Sequence, residues 1–132
     1  MVVIDASLVV AALVDHGMHG RWAESVIASN QVAAPHLMPA EVANVLRRTM
    51  IRGHLSADVA ALAHAELLRL PVTLLSYDPV AERVWQLRAN INPYDAWYIA
   101  AAEALGAPLA TLDARLVRAS GSRCEFLTPQ GT

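Results

Sequence analysis

At 132 residues the chain has the length of one compact domain, and with 55% hydrophobic residues it can bury a substantial core. A formal charge of −2 gives no basic field to announce a nucleic-acid partner, although a metal site would bring positive charge of its own. All ten basic residues are arginines, which excludes every chemistry that needs a lysine, the P-loop phosphate grip and Schiff bases included.

Met1 to Val14 is apolar enough to suggest a signal peptide, but no basic segment opens it and Asp5 interrupts it. It is also shorter than the roughly 20 residues a spanning helix needs. It reads as a buried strand over 2–4 and a core helix over 7–14, with Ser7 as a plausible N-cap. Asp15-His16-Gly17 breaks that helix, and a second is expected over 21–29. Val32 to Ala34 is a short strand ending before Pro35. A long helix is expected over 39–52, with Pro39 in its first turn and Gly53 at its stop.

Ser56 caps the next helix, which runs to Leu70, and a third strand covers 72–75. Asp78-Pro79 opens a helix through Arg88. Asn92-Pro93-Tyr94 is a turn, and Asp95 starts a helix ending near Gly106. A fourth strand over 109–112 leads to Asp113 and a short helix to Ala119, and an edge strand is expected over 125–127. No repeat, low-complexity stretch or linker divides the chain, so residues 1–132 read as one domain. Apolar strands separated by helices argue for an α/β fold: a parallel sheet of four to five strands, flanked by helices on both faces.

In such sheets the functional site lies beyond the carboxyl ends of the strands. Asp5 and Asp113 stand at two of those ends. Taken alone, each reads as a cap or turn residue, as does Asp95 at its helix start. Glu41, in the first turn after Pro39, reads alone as a glutamate that complements the helix dipole. Together the four occupy places that face one cleft in a doubly wound fold. Four carboxylates in one cleft would resist ionising unless a cation joined them. Oxygen-only ligands select hard ions such as Mg²⁺ or Mn²⁺, and the chemistry that suits such a site is phosphodiester hydrolysis.

The wording around these acids resembles a known family. Val3-Ile4-Asp5-Ala6-Ser7 looks like the first motif of PIN-domain proteins, and Glu41-Val42-Ala43-Asn44-Val45-Leu46 the second. The run from Asn92 through Asp95 to Ala100 resembles the third, and Ala110-Thr111-Leu112-Asp113-Ala114-Arg115-Leu116 the fourth. The matches fall in family order across nearly the whole chain, and size and wording are most similar to the VapC-type toxins of toxin–antitoxin pairs. The resemblance implies a Mg²⁺-dependent endoribonuclease, with Mn²⁺ able to substitute, whose products carry a 5′-phosphate and a 3′-hydroxyl. It implies a homodimer, and a cognate antitoxin that covers the cleft. Matched by position, Asp5, Glu41, Asp95 and Asp113 are the acidic, metal-holding residues. Ser7 and Thr111 match hydroxyl positions that shape the site. Arg115 stands where some relatives carry a further acid, which leaves one or two metals open.

Other enzyme classes fit less well. An aspartyl-phosphate protein would suit Asp5, but Ser7 stands where its second aspartate belongs, and lysine is missing. A PIN nuclease of RNA processing and an inactive protein-binding module remain as alternatives.

Arg48 and Arg52 fall on the same helix face as Glu41 and could grip RNA phosphates or simply form a solvated, paired face. Arg115 is the third candidate for an RNA contact. Tyr94, Trp97 and Tyr98 flank Asp95; bases could stack on them, but core packing is the reading for Trp97 and Tyr98. His16 and His19 straddle Gly17 and make a poor metal pair. The lone Cys124 rules out an intrachain disulfide and a cysteine-rich zinc site, and fits a reducing, cytoplasmic setting without a membrane anchor.

Overall fold

The computed structural model describes residues 1–130. Five strands form one parallel sheet: β1 (Val2–Ile4), β2 (Val32–Pro35), β3 (Val72–Leu75), β4 (Leu109–Ala110) and β5 (Phe126–Leu127), in the order β3-β2-β1-β4-β5. Val3 pairs with Ala33 on one side and Leu109 on the other, so β1 is central. All three β1 residues are buried, as a strand covered on both faces requires. The chain steps outward from β1 to β2 and β3, then returns to the other side of β1 for β4 and β5. That reversal makes the gap between the carboxyl ends of β1 and β4 the switch point, where open α/β sheets hold their ligands.

The helices are α1 (Ala6–Val14), α2 (Met18–Ser29), α3 (Met38–Ile51), α4 (Ala57–Arg69), α5 (Ala81–Gln86), α6 (Pro93–Leu105) and α7 (Ala114–Val117). A 3₁₀ turn, Asp78–Val80, precedes α5. Helix α1 packs on α2, α3 and α4, while α6 lies against β1, β2 and β4 with α5 beside it. Ala96, Ala100, Ala101 and Ala102 are all buried on α6. Their small side chains let the helix backbone approach closely, which carries its first turn to the carboxyl ends of the strands. Met38, Val42 and Leu46 repeat every four residues on α3 and bury its core face. Among the described residues, no helix is long and apolar enough to cross a membrane.

Several boundaries differ from the expected ones, each for a local reason. Helix α1 is capped by Asp5, whose carboxylate accepts the Leu8 N–H, and not by Ser7. Helix α2 starts at Met18, because the Asp15 side chain accepts the Gly17 N–H and turns the chain within two residues. Gly20 permits the tight corner: a Cβ there would lie 1.8 Å from the Asp15 carbonyl oxygen. The expected helix from Asp78 to Arg88 is instead the 3₁₀ turn followed by α5, which ends at Gln86 in three-residue turns at Leu87 and Arg88. Helix α6 starts at Pro93 with Asn92 as its cap, two residues before Asp95. Strand β4 stops at Ala110, because the Leu112 and Asp113 N–H groups are taken by the hydroxyls of Ser7 and Thr111. Helix α7 is only one turn, ending at Val117.

Candidate active site

Asp5 follows the central strand directly and is only 5% exposed. Its Oδ1 accepts the Leu8 N–H at 3.0 Å and the Ser7 hydroxyl at 2.7 Å. Its Oδ2 accepts the hydroxyl of Thr111, a fully buried residue just past β4. Ser7 Oγ in turn accepts the Leu112 N–H at 3.1 Å. The two hydroxyls therefore tie the ends of β1 and β4 together through one carboxylate. Burial pushes the Asp5 carboxyl up to about 6, against the pull of its three hydrogen bonds; the Asp113 charge adds to the rise.

Glu41 enters from the first turn of α3, placed there by Pro39 and the core contacts of Met38 and Val42. The Tyr98 hydroxyl donates to its Oε1 at 2.5 Å. Burial raises the Glu41 carboxyl above its ordinary value; the Tyr98 hydrogen bond opposes this, and the Asp95 charge adds to it. Tyr98 is 2% exposed. Burial, and then the Glu41 carboxylate, hold its phenol far above the ordinary value, so it serves as a permanent donor.

Asp95 stands in the first turn of α6. Asn92 Oδ1 accepts its N–H at 2.9 Å, and Asn92 Nδ2 donates to its Oδ2 at 3.2 Å. Asp113 caps α7, accepting the Arg115 and Leu116 N–H groups at 3.0 and 3.3 Å. Arg115 Nη2 joins these two acids, donating to Asp95 Oδ2 at 3.0 Å and to Asp113 Oδ2 at 3.1 Å.

The four acids, with Ser7 and Tyr98, line a single cavity of about 130 Å³. They share it without converging on one point. Among the described residues, no three carboxylate, imidazole or thiol groups form a ready-made metal cradle. The four acids expected at one cleft are therefore an open set, with a guanidinium standing between two of its members. The donor set nonetheless fits a hard divalent cation. Its carboxylate and hydroxyl donors are all oxygens, its buried member resists ionising without a counter-charge, and an arginine already answers two of the others.

Arg48 and Arg52 are exposed at the far end of α3 and do not line this cavity. Arg48 lies seven residues beyond Glu41, about 10 Å along the axis. Tyr94 is exposed, while Trp97 packs edge-on against Tyr77 with ring centres 5.2 Å apart. His19 lines a separate hollow with Arg118 and Pro129. Sequence reasoning did not find Tyr98 as the partner of Glu41, nor Asn92 as the cap that orients Asp95. Both signals were present. Tyr98 lies three residues after Asp95, hence on the same helix face, and an asparagine three residues before a first-turn acid marks a helix start.

The PIN domain family model matches residues 2–122. The chain belongs to the PIN-domain family. This PIN domain is 40% identical over 124 residues to ribonuclease VapC9 of Mycobacterium tuberculosis, covering 94% of each chain. Among solved structures it is similar to FitAcB from Neisseria gonorrhoeae, with a TM-score of 0.72, 19% identity, and 98% and 99% of the two chains covered. It is also similar to VapBC2 from Rickettsia felis bound to a DNA fragment from their promoter, with a TM-score of 0.68, 14% identity, and 97% and 98% covered. At those identities the solved structures speak for the fold. The VapC relative carries the family assignment to the sequence itself.

Proposed function

We propose that this PIN domain is a metal-dependent endoribonuclease acting in the cytoplasm as the toxin of a toxin–antitoxin pair. The observation that carries this reading is the meeting of Asp5, Glu41, Asp95 and Asp113 at one cavity at the switch point of the sheet, in a chain 40% identical to a VapC ribonuclease. The partner follows from the same kinship: a cognate antitoxin that covers the cleft. The active form is a homodimer.

The four acids would hold Mg²⁺, or Mn²⁺ in its place. When bound, the ion supplies positive charge to the phosphodiester and lowers the pKa of the attacking water. The protein's own part is orientation. Ser7, Thr111 and the Leu8 N–H fix both oxygens of Asp5. Tyr98 fixes one oxygen of Glu41 and leaves the other for a ligand. Asn92 holds Asp95 toward the cavity, and the α7 turn holds Asp113. Arg115 beside Asp95 and Asp113, with Arg48 and Arg52 farther along α3 outside the cavity, gives the RNA backbone its cationic contacts.

The test is cleavage of total RNA by the purified chain with Mg²⁺, with EDTA, and in the Asp5→Asn variant. Asparagine retains the acceptor that caps α1, so the fold survives. Cleavage is expected to fall at least about 10²-fold in the variant and to vanish in EDTA. Wild-type cleavage by the variant, or in EDTA, overturns the proposal.

A further inference from the structure

Arg115 deserves a role of its own, because its guanidinium occupies the charge-neutralising position between two proposed ligands. A single nitrogen, Nη2, bridges Asp95 Oδ2 at 3.0 Å and Asp113 Oδ2 at 3.1 Å. Those two acids come from different elements, α6 and the start of α7, and among the described residues no other side chain is seen to bridge their carboxylates. Each has its other contacts satisfied elsewhere: Asp95 from Asn92, Asp113 from the amides of α7. The guanidinium thus adds charge balance to two acids that other groups already orient.

The contact is also built to come apart. The Arg115 side chain is 68% exposed, against 20% and 31% for its two partners. Exposed ion pairs are weak and screened, so the side chain can swing into water at little cost. Its backbone would not move, since the Arg115 N–H remains bonded to Asp113 Oδ1.

We propose that Arg115 is a built-in counter-ion that competes with the divalent cation for Asp95 and Asp113 and so sets the metal affinity of the site. This rests on the metal-dependent reading above. In the metal-free protein the guanidinium draws the two acids together and relieves their repulsion. On metal binding it leaves for the mouth of the cavity. The exchange lowers affinity in two ways: the ion must displace an existing partner, and it must then sit near a positive charge.

Calorimetric titration of Mn²⁺ into the full chain, without RNA, reads this directly. Arg115→Gln is expected to bind Mn²⁺ roughly 3- to 10-fold more tightly than wild type, with the gap narrowing as ionic strength rises. Arg115→Lys, which keeps the charge, is expected to stay near wild type. A second readout is the melting temperature. Metal-free Arg115→Gln should melt no higher than wild type, yet gain more from saturating Mn²⁺. Equal or weaker Mn²⁺ affinity in a folded Arg115→Gln variant overturns the counter-ion role and leaves the nuclease reading standing. Binding by Arg115→Gln alone supports it in its strongest form. Absence of binding by every form overturns the metal reading, and the counter-ion role with it.

Discussion

Arg83 and Arg115 each reach a carboxylate twenty residues away, and the resemblance ends there. Arg83 grips Glu103 with two nitrogens, at 2.6 and 3.1 Å, and also donates to the Gly121 carbonyl at 2.7 Å. The Arg123 N–H adds a further bond to Glu103 at 2.8 Å. Both side chains are largely shielded, 20% and 14% exposed. This pair clamps α5, α6 and the loop before β5. Arg115 instead shares one nitrogen between two acids and stands mostly in water. The same chemistry fastens the scaffold in one place and stays releasable in the other.

The carboxylates differ accordingly. Burial pushes Glu103 up, but the Arg83 hydrogen bonds and the Arg123 N–H outweigh it and hold the group below its ordinary value. Asp5 has hydroxyl and amide partners but no cation, and burial wins. The two therefore act on stability with opposite sign. Glu103 stabilises the fold at neutral pH and loses that contribution as pH falls through its lowered value. Asp5 keeps a proton in the native state between its ordinary 3.8 and about 6, where the unfolded chain has released it. Its contribution is fully present below 3.8 and is lost as pH rises to about 6.

The largest expected effect follows from that sign. In metal-free protein at pH 7, ionised Asp5 costs about 3 kcal/mol relative to an unburied aspartate. Asp5→Asn should therefore be the more stable protein at pH 7, by up to about that amount, and should lack the decline between pH 4 and 6. Urea denaturation in EDTA across that range measures the difference between the two proteins, which isolates Asp5 from Glu41. Parallel pH profiles would show that the site stores no such strain. Next in size is the clamp. Glu103→Gln should lose about 2 kcal/mol, because Arg83 keeps its place with one charged partner removed. Its Mn²⁺ affinity should stay unchanged. A matching loss of Mn²⁺ affinity would mean that clamp and site are coupled, and the contrast between the two arginines would fail.

Much of this was legible in the sequence. Val2–Ile4 is an apolar β-branched run and Val72–Leu75 a mostly apolar one, and Ser56, Gly53 and Gly106 are local end signals, so most elements could be read from neighbours in the chain. The four acids were legible for the same reason: each sits at a strand end or helix start. What could not be read depends on distant partners. Strand β4 ends early because Ser7, more than 100 residues away, accepts the Leu112 N–H. Arg115 is expected from the sequence to contact RNA, and only the folded chain brings it to Asp95, twenty residues away. Arg48 and Arg52 show what periodicity leaves out. It puts them on the face of Glu41, but distance along the helix keeps them from lining its cavity.

Tyr98→Phe gives the smallest and most discriminating effect, because it leaves every charge in place. The hydroxyl is the hydrogen bond that opposes the burial-driven rise of Glu41. Losing it should cost about 1 kcal/mol of folding stability, a typical net value for one such bond. It should also raise the Glu41 carboxyl further, so that less of it is ionised at a given pH and ready as a ligand. Mn²⁺ affinity should then drop a few-fold, with the loss largest at low pH and shrinking as pH rises and Glu41 ionises. Arg115→Gln moves affinity the other way, and that gain survives at pH 8 because no proton is involved. A pH-independent loss in Tyr98→Phe would mean that the ring positions α6, and that the hydroxyl does not tune the acid. The pH series therefore separates an acid adjusted by a neutral donor from acids balanced by a removable cation.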